Sequence, residues 1–378
     1  KPDSIHPAQP EWKSLRLSHA FRITSISRKY ADASNDSAFY QNTYSAENGT
    51  HDSLKFLAWS NDISLLSDTV LIGKVPILLK GGINPDFYRY RFAGQSLSDY
   101  SIGINGRITR DLPFETESIE AKWIAAGYAS GDFNIKVHYH LIPAKTTNGS
   151  IITLELFANG CSADPIIRKY QSNHFNWNND FSRQYETGGT LSWNMPNIHT
   201  EWILSAIRNK GRIYFDHQGM PAQLTDPMTV LSIKGSKIFT AGVFRSSISG
   251  LAQYCSSDAI RLPKFIGSTS TYLHHDIQFP ATKGELQVEY GFDLSIYSSY
   301  FGYAYMPATG AFYVENEKTL GNYPYLNIFA QMKIKRTRIF FAWCQTLADI
   351  FPDQSFAVLH YPSMRPHLKY GIYWHFYD

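Results

Sequence analysis

The chain has 378 residues and a formal net charge of +3; 43% of residues are apolar, 15% aromatic and only 18% charged. That length suits two ordinary domains or one large β-barrel. The charge is too small and too scattered for a nucleic-acid partner. No window approaches about 18 consecutive apolar residues, which excludes a helical membrane span but not a barrel, whose strands are only half apolar.

Lys1-Pro2-Asp3 opens polar, with no apolar leader, so a barrel reading carries the expectation of a mature or shortened chain. Residues 1–12 hold three prolines and read as an irregular lead-in; 13–378 read as the barrel. The first strand is expected over 13–29, with Leu15, Leu17, Phe21 and Ile23 on one face and Arg16, Ser18, Arg22 and Thr24 on the other. A loop rich in Asn, Asp and Ser covers about 30–53. Strands follow at 54–67, 75–91, 96–110, 115–128, 132–142 and 150–159. Within 96–110, Tyr100, Ile102, Ile104 and Ile108 oppose Ser101, Asn105, Arg107 and Thr109. Such alternation puts one set of side chains on each face.

A polar, aromatic loop (160–182) precedes shorter candidates at 183–194, 197–208, 211–217 and 226–234. Others lie at 237–249, 268–279, 284–297, 325–335, 337–346 and 367–377. No useful helical period occurs, so the fold class is all-β. The apolar faces run over nine or more residues, longer than the usual strand of a soluble sheet and close to what crosses a bilayer.

Outer-membrane barrels alternate short periplasmic turns with longer external loops and have an even strand count. Counting back from the C-terminus, the turns at Arg336, Ala281–Gly284 and Gly235-Ser236 fall inside. The loops 298–324 and 250–267 fall outside. Seventeen candidates break this rule further upstream. Removing the weakest, 211–217, restores it with both termini inside. The expectation is a transmembrane antiparallel barrel of 16 strands, with 18 the alternative.

The segment GNYPYLNIFAQMKIKRTRIFFAW (321–343) and the end HYPSMRPHLKYGIYWHFYD (360–378) resemble the C-terminal portion of the putative porins of Bacteroidota. IRLPKF (260–265) and SNHFNWNNDF (172–181) are similar to further landmarks of that family. The resemblance implies a bacterial outer-membrane barrel with pore formation, and a substantial region before the matched part in most members. The end also resembles the barrel-assembly signal through Lys369, Gly371, Trp374 and Phe376, although the chain closes on Tyr377-Asp378. Outer-membrane lipids, the barrel-assembly machinery and other outer-membrane proteins or lipoproteins are the partners so implied.

The inward faces would line a lumen. Arg107, Lys122, Lys136, Lys333, Lys335 and Arg338 stand there with Glu285, Glu289 and Asp293. Excess bases favour anions in a pore, unless acids and bases pair across it. His138 and His140 share a face at workable ligand spacing, and His274-His275 point to opposite faces; solvated lumen histidines are the plainer reading, and neither metal nor cofactor is expected. Asp216-His217 and His360 lack the mutual placement a catalytic reading needs, and G-x-S-x-G is absent, so no catalytic residue is assigned. Cys161, Cys255 and Cys344 are odd in number and far apart, which gives neither a disulfide framework nor zinc spacing. Trp123, Trp202, Trp343 and Trp374 belong to the outward face; a soluble sandwich would bury them.

Three functions compete: a pore for small hydrophilic solutes, a non-conducting barrel acting as scaffold or subunit, and a soluble secreted β-rich protein. Loops 250–267, 298–324 and 347–366 are expected to fold over or into the mouth.

Overall fold

The computed structural model describes residues 15–33, 39–44, 49–72, 75–143, 149–279, 284–351, 356–374 and 376. The lead-in expected over 1–12 lies outside them. Sixteen long strands form one antiparallel sheet, joined by a short piece, Val70–Ile72. They are β1 (Leu15–Asp32), β2 (Thr50–Ser67), β3 (Val75–Phe92), β4 (Gln95–Leu112), β5 (Glu115–Gly127) and β6 (Phe133–Leu141). Next come β7 (Ile151–Cys161), β8 (Gln184–Met195), β9 (Thr200–Lys210), β10 (Met228–Ala241) and β11 (Phe244–Cys255). The set ends with β12 (Phe265–Phe279), β13 (Gly284–Tyr297), β14 (Pro324–Ile334), β15 (Thr337–Cys344) and β16 (His367–Trp374).

Each strand pairs with the next in sequence, as in an up-and-down barrel wall. Among the described residues no backbone pairing joins β1 to β16. The side chains of β1 are accordingly exposed on both faces along most of its length.

Alternation fixes two faces. Outward residues such as Ile104, Ile119, Leu204 and Leu231 stay exposed in the isolated chain, as do Trp123, Trp202, Trp343 and Trp374. An apolar surface of that extent is stable only under lipid. A soluble sandwich would have sealed these tryptophans between sheets. Among the described residues the cluster of buried apolar side chains lies instead at the end that carries the long loops.

Leaving 211–217 out of the wall agrees with the sixteen strands found, and one expected turn needs correction. Segment 211–217 does contain a strand, Ile213–Phe215, but it pairs with Pro221–Gln223 in a loop hairpin outside the wall. The turn expected at Gly235-Ser236 is interior to β10, and the chain turns at Gly242-Val243. The two glycines do different jobs. A Cβ on Gly235 would stand 2.7 Å from the ring of Trp202, so this glycine makes room for a cross-strand indole. Gly242 has φ of +58°, the left-handed region a tight turn demands.

Candidate functional site: lumen wall and loop cap

On β2 to β7 the inward wall is a ladder of paired charges. Lys80 Nζ lies 3.2 Å from Asp62 Oδ2, Arg107 Nε 3.7 Å from Glu120 Oε2 and Lys122 Nζ 3.8 Å from Asp86 Oδ2. Ser64 donates to the same Asp62, and Asn105 Nδ2 donates to Asn84 Oδ1 at 2.6 Å. Lys136 lines a cavity of about 420 Å³ with Arg107, Glu120, His138 and Glu155. His138 and His140 stack at 6.4 Å; His138 Nε2 is 3.9 Å from Glu155 Oε1, and His140 Nδ1 is 3.1 Å from Thr153 Oγ1.

Across the sheet, Glu289 meets His274 Nδ1 at 2.8 Å and also accepts from the side chain of Gln331. Asp293 opposes Asn327 and Ser270 on the same inward row. Lys333 and Arg338 are register partners at the short-turn end. Lys335, expected on the wall, sits in the two-residue turn after β14 with φ of +52°, because β14 ends one residue earlier. Glu285 opposes Gln278 in the β12–β13 register. The basic residues of β3 to β5 are thus largely matched by acids, whereas Lys333 and Arg338 have no acidic partner among the described residues.

The last strand carries Lys369 and Gly371 on the inward row and Trp374 on the outward row, from their register with β15. Gly371 lies under the ring of Phe340, whose nearest atom would be 2.7 Å from a Cβ there. The rings of Trp374 and Phe376 stack at 5.5 Å.

Above the wall, the long loops pack on one another. The loop after β7 begins with a turn of helix, Pro165–Arg168, capped by Asp164. It continues as a hairpin, Lys169–Gln171 against Asn176–Asn178. The hairpin tip is locked to the top of β2: Asn173 N donates to both oxygens of Asp52 at 3.1 Å, and Asn173 Nδ2 donates to Thr50 Oγ1 at 2.7 Å. His174 Nε2 meets Thr50 Oγ1 at 2.8 Å and its Nδ1 meets the Asn42 carbonyl at 2.9 Å, while its ring stacks on Tyr40 at 4.0 Å. Trp177 packs on Tyr170 at 4.9 Å and donates from Nε1 to the Ile166 carbonyl at 2.9 Å.

Phe92 and Tyr90, at the top of β3, turn inward into this cluster, and Tyr90 donates to Asp164 Oδ2 at 2.8 Å. The hairpin Tyr300–Met306 with Ala311–Leu320 adds Ala304, Met306 and Tyr313, and the loop before β16 adds Leu359. The loop after β11 joins through Tyr303, whose hydroxyl accepts from Arg261 N at 3.1 Å and donates to the Ala259 carbonyl at 3.2 Å. The expected folding of the loops over the mouth is present, and it also involves the loops after β1, β7 and β9.

A cavity of about 300 Å³ opens in this cap, lined by Tyr40, Gln41, Asn42, Asn176, Gln218 and Tyr313 among others, none of them Asp, Glu, Lys or Arg. His217 Nδ1 lies at its rim, 3.9 Å from Glu315 Oε1; Asp216 turns away to accept from Gln218 N and Met220 N. His360 Nε2 pairs with Glu317 Oε2 at 3.0 Å. Asp216, His217 and His360 therefore serve separate contacts. Cys161, Cys255 and Cys344 are free thiols.

Burial raises the phenols of Tyr40, Tyr170 and Tyr313 above their usual value of about 10, desolvation being the first cause in each. A folded value above the unfolded one contributes stability that is whole below the unfolded value and is lost as pH climbs past it. The cap is therefore expected to hold below about pH 10 and to loosen above it. Tyrosinate absorbance should show a late fraction of phenols whose ionisation coincides with cap opening. A single titration at the ordinary phenol value would contradict this.

Sequence reasoning missed the cap as a unit. The signal was present in SNHFNWNNDF, where aromatics alternate with amides, but nothing in one loop names the strand top it locks onto.

The sheet resembles solved outer-membrane proteins in fold. The siderophore receptor PirA from Acinetobacter baumannii aligns over 96% of this chain and 60% of its own, at 11% identity and a TM-score of 0.60. The FrpB iron transporter from Neisseria meningitidis aligns over 94% and 59%, at 11% identity and 0.59. The ferric enterobactin receptor PfeA from Pseudomonas aeruginosa aligns over 89% and 54%, at 10% identity and 0.59. The chain thus spans less than two thirds of the length of these structures. No curated protein matches the sequence. The model of the family described as "Putative porin" matches residues 7–378. With its lipid-facing aromatic exterior, its paired polar interior and this match over nearly every residue, the chain belongs to that porin family and is an outer-membrane β-barrel protein.

Proposed function

We propose that the chain supplies the wall and the external mouth of a non-enzymatic channel for small hydrophilic solutes across the outer membrane. The observation that carries this reading is the polar inward face of sixteen strands running beneath a folded loop cap. A barrel of this strand number encloses an aqueous lumen unless loops fill it. The uncharged cavity in the cap suits a neutral solute at the entrance, since amides and phenols offer both donors and acceptors. Lys333 and Arg338 bias the far end toward anions, and the matched charges of β3 to β5 temper that bias. The end of the last strand, with Gly371, Trp374 and Phe376, is the element presented to the assembly machinery.

A water-filled pore also needs β1 and β16 joined, directly or through further strands, because unpaired backbone cannot face lipid. That requirement supports the second reading, a barrel whose seam and cap serve a larger assembly without conducting.

Planar-bilayer recording of the detergent-purified protein separates the two. Discrete conductance steps are expected. If neither the protein nor a variant with a loosened cap conducts, the channel reading fails and the scaffold reading stands.

A further inference from the structure

The tops of β1, β2 and β3 reverse the polarity of the wall below. Lower down, apolar side chains face lipid and polar ones face the lumen. In Phe87-Tyr88-Arg89-Tyr90-Arg91-Phe92 the aromatics Tyr88, Tyr90 and Phe92 turn inward into the cap, as do Leu54 and Phe56 on β2. Alternation then sends Arg89, Arg91 and Lys55 outward. On β1, Arg28 Nη2 donates inward to Tyr170 OH at 2.9 Å, so Lys29 also faces out. Lys55 and Arg91 are register partners, two like charges directly opposite, an arrangement that costs stability unless an anion neutralises it.

Among the described residues no acid shares this outward patch. Its neighbours are Ser25, Ser27, Ser53, Ser96 and Ser98, and Arg89 Nε donates to Ser98 Oγ at 3.0 Å. Among the described residues none of the four cations has an ion pair. The other rim of the sheet, on the neighbouring β4 and β5, is different. There Arg110 Nη2 is met by Glu115 Oε1 at 3.0 Å and Glu117 Oε1 at 2.8 Å, so its charge is cancelled within the chain.

Height places the patch at a membrane surface. The outward row of β3 is apolar from Val75 through Ile77, Leu79, Gly81, Ile83 and Pro85 to Phe87, about 40 Å along the strand and about 30 Å in height at a tilt of about 40°. Exposed Phe87 and Tyr100 end this band. Arg89 and Arg91 come next, where headgroups lie.

We infer that Lys29, Lys55, Arg89 and Arg91 form a binding site for the phosphorylated headgroup of an outer-leaflet glycolipid. Phosphate is the anion these donors suit, since Arg89 and Arg91 offer planar forks and the serines add hydroxyl donors. The inference rests on the reading that the long loops face outward.

The test is native mass spectrometry of protein taken from vesicles of zwitterionic phospholipid doped with a phosphorylated diglucosamine lipid. The same lipid without phosphate is the control. The protein is expected to retain the phosphorylated lipid and not its control. The quadruple variant Lys29→Gln, Lys55→Gln, Arg89→Gln, Arg91→Gln should retain about ten-fold less, or lower still. Arg110→Gln, at the neutralised rim, should leave retention unchanged. A heat-modifiable gel band establishes that each variant is folded; if the quadruple variant is not, Arg89→Gln with Arg91→Gln alone replaces it. Equal retention by protein and folded variant overturns the site, as does equal retention of the phosphate-free lipid. Full displacement by inorganic phosphate would mean that the free ion is the ligand, and overturns it too. Labelling of an Asp258→Cys variant, with Cys161, Cys255 and Cys344 replaced by alanine, on intact cells by a membrane-impermeant maleimide checks orientation separately. An unlabelled cysteine would remove the reading beneath the inference, whereas a labelled one with lipid-insensitive retention removes the inference alone.

Discussion

Trp177→Ala is expected to enlarge the conductance of the channel several-fold while leaving the wall intact. Trp177 is almost wholly buried, packs against Tyr170 and Phe175, and pins the loop helix through its bond to the Ile166 carbonyl. Removing a buried indole costs about 3–5 kcal/mol. That penalty falls on a cap held by side chains, since the hairpin it belongs to is only three residues a side and, among the described residues, pairs with no wall strand. A cap so weakened opens as a unit, and the steps in planar bilayers should become larger and noisier. Trp123→Ala, on the exposed outward face, should change neither. Unaltered conductance in a folded Trp177→Ala protein would show that the cap does not limit flow.

Gly291→Val is expected to abolish assembly of the sheet. Gly291 lies mid-strand in β13, paired on both sides, to Tyr272 of β12 and Phe329 of β14. The rings of Tyr272 and Phe329 sit 6.2 Å apart on the inward face over it. A Cβ there would stand 2.1 Å from the Thr271 carbonyl oxygen and 2.6 Å from Tyr272 Cα. Those are backbone atoms in a continuous ladder, so relief requires breaking pairs rather than turning a rotamer. The cost is at least about 3 kcal/mol, the upper end for overpacking. Gly250→Val is the matched control, because a Cβ there meets nothing within 4 Å. The heat-modifiable folded band should vanish for Gly291→Val and persist for Gly250→Val. A folded Gly291→Val protein would mean that the β12–β13 ladder yields more readily than this geometry allows.

Much of the wall was legible beforehand because its signal is local. Period-two alternation places each side chain without knowledge of any other strand, so β13 is found over 284–297 with the bounds expected. Loop parity along the chain identified 211–217 as foreign to the wall, and the structure shows why: those residues pair with Pro221–Gln223 above it. Where glycine carried the argument, locality failed. Gly235 and Gly242 look alike in sequence; only the Trp202 ring across the strand gap tells the packing glycine from the turning one.

The chemistry of the mouth was far less legible. SNHFNWNNDF reads as a polar loop, yet Asn173 and His174 are buried because Asp52, Thr50 and Asn42 await them from segments more than a hundred residues earlier. The basic residues 89 and 91 read as ordinary strand polars until Tyr90 and Phe92 were seen to turn inward, which forces the arginines toward lipid. By itself the sequence determined the strand class, the lipid-facing rows and the alternation of short turns with long loops, because each depends on neighbours one or two residues away. Only the tertiary structure decided which loops pack together above the wall, which luminal charges cancel, which outward cations have no ion pair among the described residues, and that among those residues β1 and β16 do not pair with each other. Those properties arise from contacts between segments distant in the chain, whose pairing no local pattern encodes.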